Sequence, residues 1–498
     1  MIDRVKHTFK HAFIYSIGNF FVKFVGLILL PIYTSHLTVS QYGIMAILET
    51  TQNLLMPLFL MNIQAAVRRF FNESSDKKKQ GTILYTALVY TLVIGIIANF
   101  LLQPFTRRFS LLLFDDPSLK IYFTFLFINI SLQGLFSLIR MYYNAVENSF
   151  KFSLINIVYL ILVLVLTIYF IVVLRWGIKG WLVAQTISYV IVITIFLKEY
   201  LKYSVPNIDL SLLKEMLNYS IPIAFSLISS IVLSFGDRYV LNFLLGKASV
   251  GIYSLSVKLV NVIDIIVIQA FQLAYLPYAF RQFKTENFKS FHSRLTTYLI
   301  FIIVSFALAL SLYSKGLLRI FAPSNPQYWQ AVDYVAFLAF LKVIVVFRFM
   351  STLSLHITKK TKIIPVVVTF AALLNIVLNV LFIPRWGIYG AIVASFISSF
   401  LMNIAFYFIS QKQYKFFYEF RRLAILIVLG IVIYLFGSMV HIENLFIHIF
   451  IKSLFILAYI VLLRLIGFFT KEELNSIKGF IEKWKNPKKW KNQASDIF

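Results

Sequence analysis

The chain has 498 residues, of which 60% are hydrophobic and only 13% charged, with no cysteine and a mean hydropathy of +0.83. Soluble domains carry about 25% charge, so a soluble globule is excluded, and the lack of Cys excludes disulfides, thiolate metal sites and cysteine nucleophiles. The formal charge of +27 lies largely in short loops between apolar runs, which ties it to membrane topology rather than to nucleic acid.

Runs of about 20 apolar residues can cross a hydrocarbon core some 30 Å thick. They predict an all-α polytopic membrane protein with fourteen helices, near 12–33, 42–66, 82–103, 119–140, 153–174, 177–197, 217–237, 248–275, 295–313, 331–355, 363–383, 387–409, 423–440 and 445–467. The first run follows a basic start, is too long for a signal-peptide core and lacks a small-residue cleavage site, so it reads as a retained span.

Polar groups recur within the spans. Span one carries Ser16, Asn19 and Lys23 on one face. Span two carries Glu49, Gln52 and Asn53 together, with Gln64 late in the helix. Span seven carries Ser226, Ser230 and Ser234, then the adjacent Asp237 and Arg238, which do not face each other on a helix and need separate partners. In span eight, Ser254, Lys258, Asn261, Asp264 and Gln272 fall within about a third of the circumference at 100° per residue. Span ten adds Lys342 and Arg348.

Ionisable groups at membrane depth are costly and usually face a bundle interior or a wet cavity. A cavity holding Lys23, Lys258, Lys342 and Arg348 follows, net positive despite Glu49, Asp237 and Asp264, and suited to an anion such as a phosphate. Blander readings stand beside this one. Asp237 and Arg238 can be interfacial structure, Lys342 can sit at a rim, and Lys452 and Arg464 in the last two spans read as snorkelling cations. The seven His are scattered singly, and no Walker or HExxH motif or acidic cluster occurs, so neither an ATPase nor a metal site is indicated.

With the N-terminus inside, the even-numbered loops are cytoplasmic. That side then collects about 31 Lys/Arg against about 9 outside, a bias that wrong parity would scramble. The external loop with Arg107 and Arg108 is the main exception. In the basic tail, Leu474, Ile477, Phe480, Ile481 and Trp484 share a face, as in a helix lying on an anionic cytoplasmic surface; a solvated disordered tail is the other reading.

One phrase occurs twice: "RWGIKGWLVA" from Arg175 and "RWGIYGAIVA" from Arg385, seven of ten positions identical at an offset of 210. Alone, each reads as an ordinary hairpin boundary, with Gly after a helix and Trp at an interface. Tyr42-Gly43-Ile44 recurs as Val250-Gly251-Ile252, and Gln64 as Gln272, both at an offset of 208. Together these landmarks predict six-helix bundles over 1–205 and 206–411, related by a pseudo-twofold axis along the membrane normal, then two more helices over 412–468 and a tail over 469–498.

The stretch "YSIGNFFVKFVGLILLPIYTSHLTVSQYGIMAI", with Asn19, Gly26, Pro31, Leu37 and Tyr42-Gly43, resembles the opening of bacterial polysaccharide flippases. "FGDRYVLNFLLGKASVGIYSLSVKL", with Asp237-Arg238 and Gly251, is similar to the start of their second half, and the RWGIxG loops also fit. The resemblance covers nearly the whole chain through loose apolar patterns. It implies the multidrug/oligosaccharidyl-lipid/polysaccharide exporter superfamily, with twelve core helices in two bundles and often two more. Its O-antigen and capsule branch implies a non-enzymatic carrier in the bacterial inner membrane, both termini cytoplasmic. The carrier moves undecaprenyl-diphosphate-linked oligosaccharide to the periplasmic leaflet by alternating access, coupled to H+ or Na+ and without another cofactor.

On that resemblance Lys23, Lys258 and Arg348 are the diphosphate candidates, Lys342 is a further substrate-binding residue, Asn19, Gln64, Asn261 and Gln272 meet sugars, and Glu49, Asp237, Arg238 and Asp264 are coupling or structural charges. The expected partners are the lipid-linked oligosaccharide and membrane lipids, with a polysaccharide polymerase and chain-length proteins beside a monomer. A lipid II flippase shares these features. A cation-coupled multidrug exporter predicts twelve spans and an acidic cavity, and a membrane glycosyltransferase needs larger external loops with carboxylates.

Overall fold

In hydrocarbon a chain must satisfy its own backbone N–H and C=O groups, which leaves helices as the form for separate apolar segments. The structure, a computed structural model, describes residues 26–440, 445–470, 473 and 475; among these it has helices and no strand. The first half contains α1 (Leu30–His36), α2 (Val39–Leu60), α3 (Ile63–Glu73), α4 (Lys77–Leu102), α5 (Thr106–Phe114), α6 (Lys120–Ala145), α7 (Ser149–Ile168) and α8 (Gly177–Tyr203). The second contains α9 (Leu210–Phe235), α10 (Asp237–Leu245), α11 (Lys247–Ile263), α12 (Gln269–Gln282), α13 (Phe288–Phe321), α14 (Val332–Ile357), α15 (Ile363–Trp386) and α16 (Ile388–Gln413). The extension is α17 (Phe420–Met439) and α18 (Leu445–Leu465).

Thirteen segments among the described residues are long and apolar enough to cross a membrane, one for each expected span from the second to the fourteenth. Residues 12–25 of the first span, with Asn19 and Lys23, and most of the tail lie outside the described residues.

The repeated phrase has a local physical cause. Gly177 and Gly387 take φ of +56° and +59°, the left-handed region that costs glycine least. The second glycine of each phrase packs on the preceding helix: a Cβ on Gly180 would lie 3.0 Å from Phe170 Cβ, and one on Gly390 2.4 Å from the Phe382 carbonyl oxygen. Trp176 packs on Phe170 and Trp386 on Phe382, both at 5.0 Å between ring centres. The phrase folds a helix hairpin back on itself.

Helices α2 and α11 meet where the halves join. A Cβ on Gly43 would lie 1.9 Å from the Lys247 carbonyl oxygen, and one on Gly251 2.2 Å from the Val39 carbonyl oxygen. Lys247 follows Val39 by 208 positions, as Gly251 follows Gly43. The contact is therefore reciprocal, as a local two-fold requires. Both helices also break at a shared place. α2 ends in the left-handed pair Met61 (φ 45°) and Asn62 (φ 52°), while α11 passes through a π-helical turn, Asp264–Ile268, into α12.

One end of the seam is pinned. Thr34 Oγ1 donates to the Phe321 carbonyl at 2.5 Å, and the Tyr328 hydroxyl donates to the Leu37 and Thr38 carbonyls at 3.0 Å each. Asn242 Nδ2 donates to the Leu113 carbonyl at 2.6 Å, and Lys247 Nζ to that of Phe114.

The extension corrects one expectation. Lys452 does not snorkel; it is buried, and its ammonium donates to the Gly437 and Val440 carbonyls, the unsatisfied C-terminal end of α17. Arg422 ties the extension's base together, reaching Glu419 at 3.1 Å and Glu473 at 3.0 Å. Thr297 on α13 donates to Glu419 at 2.6 Å, which joins that base to the second half.

Candidate functional site

Three adjoining cavities cross the seam. The first-half cavity, about 240 Å³, is lined by Tyr33, Gln133, Tyr159, Trp181, Gln185 and Tyr189, together with Glu49, Gln52 and Asn53 of α2 and Lys258 of α11. The middle cavity, about 150 Å³, shares Glu49, Asn53 and Lys258 with it and adds Tyr42, Arg238, Ser254 and Asn261. The second-half cavity, about 290 Å³, shares Asn261 and adds Asp237, Tyr253, Asp264, Lys342, Arg348, Ser395 and Ser399.

Helical spacing explains why α11 serves all three. Ser254, Lys258, Asn261 and Asp264 follow one another by three or four residues and stay on one stripe. Gln272 was expected on that stripe, but it lines none of the three cavities. The π turn at Asp264–Ile268 has wider turns than an α-helix and rotates everything after it off the face. Gln64 is off the site for a parallel reason, since the left-handed Met61 and Asn62 redirect the chain just before it.

The charges are arranged unequally. Lys342 Nζ donates to Asp264 and, at 3.0 Å, to Asn261 Oδ1, and this pair is mostly buried. Arg348, one helical turn and a half further along α14, lines the same cavity, and its guanidinium has no hydrogen-bond or ion-pair partner among the described residues. Asp237 and Arg238 do take separate partners: Asp237 accepts from the Tyr253 hydroxyl, and Arg238 Nε donates to Ser254 Oγ at 3.0 Å. Both are buried. Lys258 Nζ lies 5.8 Å from the Tyr33 ring centre and 6.0 Å from that of Tyr42, a cation–π placement without a carboxylate. Among the described residues, four basic side chains stand against three carboxylates across the three cavities, a formal surplus of one positive charge.

Several contributors were not singled out in the sequence. Gln133 and Gln185 are amides at membrane depth, a signal that attention to ionisable groups alone passes over. Trp181 belongs to the repeated phrase itself, at one of its variable positions. Arg140, counted with the loop cations, is half-buried over the Phe136 and Phe152 rings at 5.8 Å each.

A separate apolar cavity of about 630 Å³ lies on the other face of α14, lined by Val343, Ile344 and Phe347 with Ile300 of α13, Phe400 and Tyr407 of α16, and Leu423 of α17. The two faces of one helix thus divide a charged space from an oily one.

A family profile described as "Polysaccharide biosynthesis protein" matches residues 8–283, more than half of the chain. The chain belongs to that family. A second profile, MatE, matches residues 222–381. No curated protein matches. Among solved structures, the fold is similar to that of the lipid II flippase MurJ in an inward closed conformation, at TM-score 0.70 and 16% identity over 90% of this chain and 98% of that one. It is also similar to an inward-facing multidrug resistance MATE family transporter of the MOP superfamily, at TM-score 0.68 and 13% identity over 81% and 95%. A third is a MOP superfamily transporter from Pyrococcus furiosus, described by the reverse polarity of its binding pocket, at TM-score 0.60 and 16% identity over 84% and 96%. At these identities the likeness establishes the fold: this family member is a multi-pass membrane protein built like MOP-superfamily transporters.

Proposed function

We propose that the chain is a flippase for undecaprenyl-diphosphate-linked oligosaccharide, moving it from the cytoplasmic to the periplasmic leaflet by alternating access. One observation carries this reading: three adjoining polar cavities cross the seam between the halves, and one is lined by Arg348, a half-buried arginine without a hydrogen bond from its guanidinium among the described residues. A diphosphate with sugars cannot cross hydrocarbon alone, because stripping its charges and hydroxyls of water costs several kcal/mol for each unpaired group. Arg348 offers the forked donors that phosphate oxygens accept, and Lys258 adds a point charge across the seam. The apolar cavity behind α14 suits the prenyl tail, which keeps its hydrocarbon in contact with lipid-like surface. Sugars and tail then lie on opposite sides of one helix.

The charge bias of the loops supports a periplasmic position for the pinned end of the seam. The conformation is then inward-facing, and transport requires the Tyr328 and Asn242 bonds to break. Asp237, with one carboxylate oxygen unpartnered among the described residues, is the group we assign to ion coupling. The organisation into bundles at 1–205 and 206–411 belongs to the same reading, supported by the reciprocal glycine contact.

The test is reconstitution of the full chain in proteoliposomes with a fluorescent polyprenyl-diphosphate oligosaccharide, scoring its exposure in the far leaflet under imposed H+ or Na+ gradients. Transfer that depends on the protein is expected. Export of a lipophilic cationic dye without lipid transfer would overturn the proposal.

A further inference from the structure

We infer that the first-half cavity is a carbohydrate subsite that takes the sugar next to the diphosphate, while the second-half cavity takes the diphosphate. The inference rests on the flippase reading and deepens it by assigning each part of the substrate to a different bundle.

The two cavities call for different chemistry. In the second-half cavity four ionisable groups, Asp237, Asp264, Lys342 and Arg348, share the space with one tyrosine among the described residues. In the first-half cavity the amides Gln52, Gln133 and Gln185 share the lining with the rings of Tyr159, Trp181 and Tyr189. An amide side chain presents an acceptor and a donor together, and a sugar hydroxyl does both as well. The face of an aromatic ring is negative in potential and receives the slightly positive C–H face of a pyranose. Amides beside rings therefore suit a neutral, hydroxylated ring better than an ion.

The amides are also positioned with capacity to spare. Gln52 Nε2 donates to Gln133 Oε1 at 3.0 Å, which fixes both side chains and leaves the Gln133 amide group and the Gln52 carbonyl without a hydrogen bond to other described side chains. Gln185 Oε1 is buried with no hydrogen-bond partner among the described residues. A buried acceptor left unpaired is costly, and a hydroxyl donor from a ligand recovers part of that cost. The rings are held too, with Tyr159 and Tyr189 stacked at 4.7 Å and 20°.

An aromatic pocket with one carboxylate also suits an organic cation. Two facts oppose it here. Lys258 lines the same cavity, so Glu49 does not leave it net negative, and the Lys258 ammonium lies over the Tyr33 ring, where a ligand cation would sit.

The experiment compares affinities of the full chain in nanodiscs for polyprenyl diphosphate and for the same lipid bearing one glucose, galactose or N-acetylglucosamine. We expect at least one sugar to tighten binding about tenfold, the scale of one or two net hydrogen bonds. Gln185→Leu, which keeps shape and removes polarity, is expected to bring the ratio of sugar-bearing to bare affinity back toward 1, and Trp181→Phe to reduce it. A ratio near 1 for all three sugars in the unaltered chain, with the bare diphosphate still bound, would overturn the subsite and leave the flippase reading standing. An undiminished ratio in Gln185→Leu and Trp181→Phe would do the same. If neither lipid binds but tetraphenylphosphonium does, both readings fall together.

Discussion

The first-half and second-half cavities are built on helices that correspond at offsets of 208 to 210, yet they hold different chemistry. Asn53 and Asn261 are counterparts and both line the path, but Glu49, Gln52 and Trp181 have Val257, Val260 and Ala391 as theirs. Conversely, Lys258 corresponds to Thr50. The positions that shape the backbone, Gly43 with Gly251 and Gly177 with Gly387, are kept in both copies. The comparison teaches that corresponding helices can keep their backbone-shaping glycines while the cavities beside them hold different side chains, which is the room the proposed division between an ion and a neutral ring requires.

The largest expected effect removes both cavities at once. In Gly251→Val the new Cβ falls 2.2 Å from a backbone oxygen that cannot step aside, so loss of folded yield in size-exclusion and of all transport is expected. Gly316→Ala, where nothing lies within 4 Å, is the matched control with normal yield. Next, Arg348→Ala removes charge-assisted bonds worth about 1.5–3 kcal/mol, a loss of about 10- to 150-fold in affinity for bare polyprenyl diphosphate, with partial recovery in Arg348→Lys. Equal losses from Trp181→Phe and Arg348→Ala on the bare lipid would erase the distinction between the cavities. Lys342→Met and Asp264→Asn each strand a mostly buried partner, whereas the double variant strands none. Thermal unfolding in nanodiscs should show a coupling of about 0.5–3 kcal/mol in that cycle. The smallest effect is expected from Tyr328→Phe, which removes one hydroxyl that bridges two carbonyls, about 1–2 kcal/mol. Spin labels on Ser40→Cys and Gln327→Cys, introduced into a chain that has no cysteine of its own, should report a larger separated population at the pinned end.

Much of this was legible because membrane helices obey one strong rule. Apolar length found every span from the second to the fourteenth, and the 100° period put Ser254, Lys258, Asn261 and Asp264 on one face. The period failed at Gln272 because no residue type in Asp264–Ile268 announces the π turn that precedes it. Gln64 failed at a left-handed pair that includes Met61, a residue with no turn signature. Lys452 was misread because a lysine near the end of a span looks alike whether it reaches for lipid headgroups or for the carbonyls of a neighbouring helix. The amide and aromatic wall was missed for a different reason. Gln185 and Trp181 are ordinary residues singly, and only the fold brings them to one space.

The crossing of Gly43 and Gly251 has a mechanical consequence. At the two glycines the helices touch backbone to backbone, so few side chains intermesh there and turning one helix against the other disturbs few rotamers at that point. That point works as a plain bearing, free to roll but intolerant of any grit the size of a methyl group. Under the alternating-access proposal, resistance to motion then gathers away from it, in the hydroxyl and amide bonds at the pinned end, where single atoms would set how long each state lasts.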